Sequence, residues 1–378
     1  MSSGVSAAIE RHGVRCMLMR GGTSKGAYFL ADDLPDDPLE RDDILLRVMG
    51  SPDARQIDGI GGAHPLTSKV AVVWSCETDE ADVDYLFLQV GVEQAFVTDK
   101  QNCGNLLAGV GPFALERGLV TAPAASDATA SVRIRMINTG GMATALFPVR
   151  DGRPFYDGDC AIAGVPGTAA PVELLFEGTA GSTCGALFPT GNTLDVVDGV
   201  EVTCVDNGMP VVVLRAADVG IEGDESCEAL EADHALRDRI ERIRLAAGPL
   251  MGLGDVGTLT VPKMTLVSRP RHGGTLMTRS FIPHRCHDAI GVLGAVSVAT
   301  AVLTGAGPAA SVATLGAGGN GDGDGDEDGG KRVIVEHPTG TLDATVALHH
   351  DGVGWQAEQS GIMRTARKLM DGTVFPRN

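Results

Sequence analysis

Basic charge is scarce in this chain. Lysine and arginine number 30 against 49 aspartates and glutamates in 378 residues, a formal charge of −19. Such a chain lacks the basic surface that non-specific nucleic-acid binding requires, and anionic membranes repel it. A small anionic substrate is not excluded, because local charge and backbone N–H groups decide that binding. Cys-x-x-Cys pairs are also absent. The eight cysteines, at 16, 76, 103, 160, 184, 204, 227 and 286, are too scattered for a zinc or dithiol site and too sparse for a disulfide scaffold. The N-terminal stretch has no apolar core of the kind a secretory signal needs, so a reducing cytoplasm is the expected compartment. The charge-free stretch from Ala289 to Asn320 is long enough to span a membrane, but glycine, proline and threonine interrupt it. It reads as a buried helix followed by a loop. Aromatic residues make up only 4%.

Glycine is abundant instead, at 51 residues, while hydrophobic residues reach 43% and charged ones 21%. This is the composition of a globular chain rich in turns, long enough for two domains. Short β-branched runs bounded by Gly, Asp, Asn or Pro read as strands. They include VRCMLM, SKVAVVW, DVDYLFLQVGV, SVRIRMI, PVELLF, LDVVDGVEVTCV, PVVVLRA, KMTLVS, TLMTRSFI and KRVIVEH. Helices are fewer. The spacing predicts amphipathic ones over Pro38–Met49 and Cys227–Met251. Two more, Asn105–Arg117 and Ile290–Leu303, are apolar all round and therefore buried, with Pro112 expected to kink or restart the first. Each buried helix follows a strand and a tight polar turn, about half a chain apart. The expected fold is thus α+β with two similar halves, each a mainly antiparallel sheet around one central helix. The domains fall at 1–180 and 181–360, with a C-terminal strand, 361–378, returning to the first.

Several motifs invite readings that their context does not support. GAGGNG at 316–321 matches a dinucleotide fingerprint, but no helix follows it. DGDGDED at 322–328 lacks the glutamate of a calcium loop, and a solvated surface loop is expected over 316–330. RGGTSKG at 20–26 lacks the spacing of a phosphate loop. His284, Cys286 and His287 have no fourth partner for a metal. No metal or cofactor is expected.

The chemistry-bearing residues are elsewhere. QNCGN at 101–105 sets Cys103 at the N-terminus of a buried helix, where the dipole and unpaired N–H groups favour a thiolate. A buried structural thiol is the alternative. Cys184, in STCGALFPTGN, has the same two readings. Lys69 opens the buried strand SKVAVV. A lysine there costs desolvation energy unless it is used, as in a general base, or reaches solvent. The turns MRGGTSKG, INTGG at 137–141, FPTGN at 188–192, DNGMP at 206–210 and EHPTG at 336–340 all offer N–H and O–H donors. Such donors suit a polyanion.

At this level the chain resembles a known family. MRGGTSKGAYF, SPDARQIDGIGGAHPLTSKVAVV, TDKQNCGNLLAGVGPFALERGLV, CGALFPTGN, DNGMPVVV, PKMTLVS, FIPHRCHDAIGVLGAVSVATA and RTARKLMDG resemble the 2-methylaconitate cis-trans isomerases and 4-oxalomesaconate tautomerases, from about Arg15 to Val374. The branch acting on 4-oxalomesaconate in bacterial protocatechuate and gallate breakdown is the most similar. The resemblance implies a diaminopimelate-epimerase-like fold and a cofactor-free proton shift in a small tricarboxylate. It implies Lys69 and Cys103 as catalytic residues. Substrate contacts are expected from Thr23, Ser24, Ser68, Asn102, Gly104, Asn105, Asn138, Thr139, Asn192, Arg279, His284 and Gly291. Epimerases of this fold carry a second cysteine at the start of the second central helix. Here Gly291 occupies that place, so a lysine–cysteine proton shift is expected rather than a two-thiol one. A 2-methylaconitate isomerase and a non-catalytic tricarboxylate-binding protein are the alternatives. The oligomeric state stays open, a homodimer included.

Overall fold

The computed structural model describes residues 2–100, 103–314 and 330–377. The expected loop at 316–330 falls almost wholly outside them, as do Gln101 and Asn102. The chain forms two compact units. One is 1–175 with 364–378, and the other is 176–363.

In the first unit, helix α1 (Ser2–His12) precedes the hairpin of β1 (Val14–Gly21) and β2 (Ser24–Leu30). Helix α2 (Pro38–Met49) leads to β3 (Lys69–Ser75), β4 (Val83–Val90) and β5 (Val97–Thr98). Helix α3 (Gly104–Arg117) is followed by β6 (Asp127–Met136), β7 (Gly141–Arg150) and β8 (Arg153–Pro154), and β9 (Pro171–Glu177) closes the run. Strands β2 and β3 run parallel, as do β4 and β6, while β1–β2, β3–β4 and β6–β7 are antiparallel.

The second unit repeats this plan. A hairpin of β11 (Val200–Asp206) and β12 (Pro210–Arg215) follows the short β10 (Asp195–Val197). Helices α4 (Cys227–Ala232) and α5 (His234–Leu250) lead to β13 (Lys263–Ser268), β14 (Leu276–Phe281) and β15 (Cys286–His287). Helices α6 (Val292–Leu303) and α7 (Gly307–Val312) precede β16 (Lys331–His337), β17 (Gly340–His350) and β18 (Trp355–Val374), whose residues from Arg364 on belong to the first unit. Here too β12 is parallel to β13, and β14 to β16. The α+β architecture of two similarly built halves is therefore realised.

Local chemistry explains most element limits. Asp37 caps α2, accepting from Leu39 N and Glu40 N ahead of Pro38, and left-handed Gly50 ends it. Pro112 does not restart α3, which runs unbroken to Arg117 before a left-handed Gly118. The helix expected over Cys227–Met251 is interrupted. Asp233 leaves helical geometry at φ −81°, ψ 92°, and its carboxylate caps α5 at Leu236 N. An aspartate able to cap gains more there than in a helix interior.

Each sheet separates two layers. In the first unit Ala27, Phe29, Val70, Val72, Leu88 and Val90 pack with Ile44, Leu45, Val48 and Met49 of α2. The opposite face receives α3. Tyr28 donates from its hydroxyl to Leu106 O at 2.5 Å, and a side chain at Gly109 would strike that hydroxyl. In the second unit Val202, Cys204, Val212, Leu214, Met264, Leu266 and Phe281 pack on α4 and α5. Thr203 lies on the other face, beneath the start of α7 at Gly307.

Candidate active site

Strand register places the chemistry of the first unit. Gly26 pairs with Lys69, and Lys69 with Gln89. Tyr28, Ala71 and Phe87 form the next row on the same face. Alternation puts Ser24 there as well, so Ser24, Lys69 and Gln89 all belong to the face that α3 covers. The glycines of RGGTSKG let this face approach the helix. A Cβ at Gly26 would lie 2.7 Å from Leu106 Cδ2 and 2.8 Å from Lys69 O. At Gly22, with φ +51°, it would lie 2.2 Å from Asn105 Oδ1. The loop is thus seated on the first turn of α3.

Cys103 is the N-cap residue of that helix, 8% exposed, with an extended backbone at φ −132°. Its carbonyl accepts from Leu107 N at 3.1 Å. The first N–H groups of an α-helix, here Gly104, Asn105 and Leu106, have no intrahelical partner and favour anions. Two buried phenols interact electrostatically with the thiol. Burial, and then the Cys103 thiol, push Tyr28 and Tyr85 far above the ordinary phenol range, so both stay neutral donors. The Tyr85 hydroxyl and the Ser24 hydroxyl are buried without a hydrogen-bond partner among the described residues.

Lys69 is 7% exposed. Its Nζ donates to Gln89 Oε1 at 2.9 Å and stands 4.8 Å from the centroid of the Phe87 ring. Neither neighbour carries charge. A cavity of about 430 Å³ opens beside Gln89, lined also by Pro65, Val92, Glu93 and Phe96. The loop before Lys69 is held by Gln56, buried at φ +45°. Its Nε2 donates to Ser51 Oγ and Ser68 Oγ, and its Oε1 accepts from Ala63 N. Ser68 is therefore a partner of Gln56, within the wall that carries Lys69.

Other expected contact residues have structural duties. Thr23 and Asn105 bond each other, Asn105 Nδ2 donating to Thr23 Oγ1 at 3.1 Å. Asn138 accepts from Phe87 N and donates to Phe87 O and Asp99 O, so its amide ties Asp99 to β4. Thr139 is an exposed turn residue whose hydroxyl accepts from Gly141 N. Asn102 lies outside the described residues.

In the second unit Gly291 caps α6, and a Cβ there would meet nothing within 4 Å. The structure does not bring Arg279 to this point. Arg279 pairs with Leu266, on the face packed by α4 and α5, where its guanidinium donates to Glu225 O and Thr278 O. His284 likewise lies near α5, with Nδ1 3.7 Å from Glu241 Oε2. Strand alternation, unresolved at the sequence level, decides the placement of Arg279, while His284 stands in the turn between β14 and β15. Asn192 is exposed and bonded to Thr190 and Asp195.

The remaining donor turns of this unit are internally occupied. Asn207 of DNGMP bonds Ser297, Thr300, Ser360 and Thr179. The Glu336 carboxylate of EHPTG accepts from the backbone N–H groups of Arg271, His272 and Gly274. Cys184 sits against Asp206, and burial together with that carboxylate pushes its thiol up to about 12, which removes it as a thiolate nucleophile. Cys286 contacts Cys227 at 3.1 Å. Among the described residues no group of three His, Cys, Asp or Glu side chains is arranged to hold a metal ion.

Gln89 and Gln56 escaped the sequence reading. The available signal was a polar residue inside an otherwise apolar strand, LFLQV, directly across from the buried lysine.

Two similarly built units, the first carrying a buried lysine and a thiol at the N-cap of its central helix, suit proton-transfer chemistry. Comparison with known proteins narrows this. The chain matches the PrpF protein family over residues 11–377 and belongs to it. It is 57% identical over 363 residues to the 4-oxalomesaconate tautomerase of Pseudomonas putida, covering 96% of this chain and 95% of that one. It is also 57% identical over 360 residues to the (4E)-oxalomesaconate Δ-isomerase of a Novosphingobium species, covering 95% and 96%. The crystal structure of a methylitaconate-Δ-isomerase superposes with a TM-score of 0.82 at 32% identity, covering 97% of this chain and 96% of the other.

Proposed function

We propose that this isomerase shifts a proton on 4-oxalomesaconate, without a cofactor, in the bacterial breakdown of protocatechuate or gallate in the cytoplasm. The observation that carries this is the 57% identity, nearly end to end, to two isomerases named for that substrate. The site geometry is consistent with it. The substrate's CH₂ lies between a ketone and an alkene, so its C–H is already activated. Lys69 is the base that removes this proton. A dienolate results, and Cys103 returns a proton at the far carbon, moving the double bond. Donors aimed at the ketone and carboxylate oxygens stabilise the dienolate. On this reading those donors are the Ser24 hydroxyl and the N–H groups of Gly104 and Asn105. Thr23, Ser68, Asn138 and Thr139 shape the loops around them.

Ultraviolet assays of the purified enzyme with 4-oxalomesaconate and 2-methylaconitate side by side test the substrate. Turnover of the first at a far higher kcat/KM is expected. Preference for 2-methylaconitate, or binding of either acid without turnover, would overturn the proposal.

A further inference from the structure

We infer that Gln89 is the positioning residue of Lys69, setting the direction of its lone pair through a neutral carbonyl that the backbone holds in place. The inference rests on the reading of Lys69 as the base.

The orientation of the Gln89 amide is fully determined. Its Nε2 donates to Ser68 O at 2.9 Å and to Pro65 O at 3.1 Å, with Val90 O at 3.4 Å. A flipped amide would set Oε1 against these carbonyl oxygens and lose both donations. Only Oε1 can therefore face Lys69, at 2.9 Å. The contact spans a directly paired position of β3 and β4, so it is fixed by strand register as well as by side-chain torsion.

This arrangement restricts a neutral amine. One N–H stays on Oε1. The lone pair is repelled by that same oxygen and by the electron-rich face of Phe87, 4.8 Å away. It is left to point into the remaining sector, away from both. Gln89 also sets the charge balance. An amide oxygen accepts from an amine and from an ammonium alike, so the contact survives proton loss. A carboxylate in its place would hold the ammonium charged.

Three variants test this: Gln89→Met, Gln89→Glu and Lys69→Met. The readouts are the pH dependence of kcat/KM and the ¹³C NMR titration of ε-labelled lysine, with the Lys69 signal assigned by its absence in Lys69→Met. Gln89→Met removes the acceptor. Its kcat should fall about 10- to 100-fold, as for a misplaced catalytic group, and the rising limb of its profile should move to lower pH. Gln89→Glu gives up two donations and should melt lower. On the folded protein its rising limb and its Lys69 titration should move about one pH unit or more upward. Shifts of opposite sign are not what a merely structural glutamine would give. If both variants keep the wild-type kcat and profile while Lys69→Met is inactive, the positioning role is wrong and the base stands. If folded Lys69→Met turns over normally, the base reading fails and the inference with it. Should Gln89→Met not fold, the direction of the Gln89→Glu titration alone decides.

Discussion

Lys69 and Cys103 differ in how their roles can be separated. Lys69→Met is nearly volume-neutral, so the variant should fold, and turnover should fall by about two to four orders of magnitude if the amine is the base. Near wild-type activity would remove it from the mechanism. Cys103→Ser should slow product formation strongly while Lys69 still exchanges the substrate proton with deuterated water, because a serine hydroxyl is a far weaker acid than a thiol. Exchange and product formation falling by the same factor would make Cys103 a positioning group. A second thiol bears on alkaline stability. Burial pushes Cys16 up to about 12 in the folded chain. The unfolded chain gives up this proton near the ordinary thiol value, so the contribution is complete below about pH 9 and is lost as pH rises towards 12. Cys16→Ala should lessen the alkaline fall in stability by up to about 1.4 kcal/mol per pH unit in that window, read from denaturant melts at successive pH values. An unchanged slope would show that Cys16 is not a source of the loss.

Among the elements, the two central helices offer a contrast that two glycines can test. Gly26 lies where β2 meets α3, and a Cβ there would press on Leu106 and on the Lys69 carbonyl. Gly26→Ala should therefore cost about 1–3 kcal/mol by overpacking and lower activity by moving the strand that carries Lys69. Gly291 has open space around its Cβ position and an ordinary backbone at φ −68°, ψ 149°. Gly291→Ala should melt at or slightly above the wild-type temperature, since alanine restricts the unfolded chain. Its KM should rise if a substrate carboxylate meets the α6 N-terminus. A variant with unchanged KM would remove that helix end from the binding site. The helices were legible in sequence because Gly104 and Gly291 follow polar turns and precede wholly apolar runs. The division of α4 from α5 was not, because Asp233 fits a helix surface as well as it fits a cap.

For the whole molecule, the long strand β18 joins the account of both units. Its first part pairs with β17, and its residues from Ala366 to Val374 pair with β1 along the full length of that strand. Arg117, whose side chain is 2% exposed, bonds Asp371 through two nitrogens at 2.8 and 2.9 Å, and Arg20 reaches Thr365 O. Ending the chain at Met363 leaves β1 without this neighbour and Arg117 without its carboxylate. Such a chain should be insoluble or melt more than about 10 °C lower, since each kcal/mol lost shifts a domain of this size by about 2–4 °C. A truncated chain with the wild-type melting temperature would show that the returning strand is dispensable.

The sequence by itself determined the two-halved α+β plan, the buried helices and most strands, because these are written in local hydrophobic period and in turn residues. It also singled out Lys69 and Cys103, since a cation at the mouth of an apolar strand and a thiol ahead of an apolar helix are both visible locally. Strands β2, β7, β17 and the first part of β18 were less legible, as glycine, proline or charge interrupts their pattern. Only the tertiary structure decided which sheet face each side chain occupies. One residue of register sends a side chain to the opposite layer, and no local signal records it. That is why Gln89 lies against Lys69 while Arg279, expected to contact substrate, is turned towards α4 and α5.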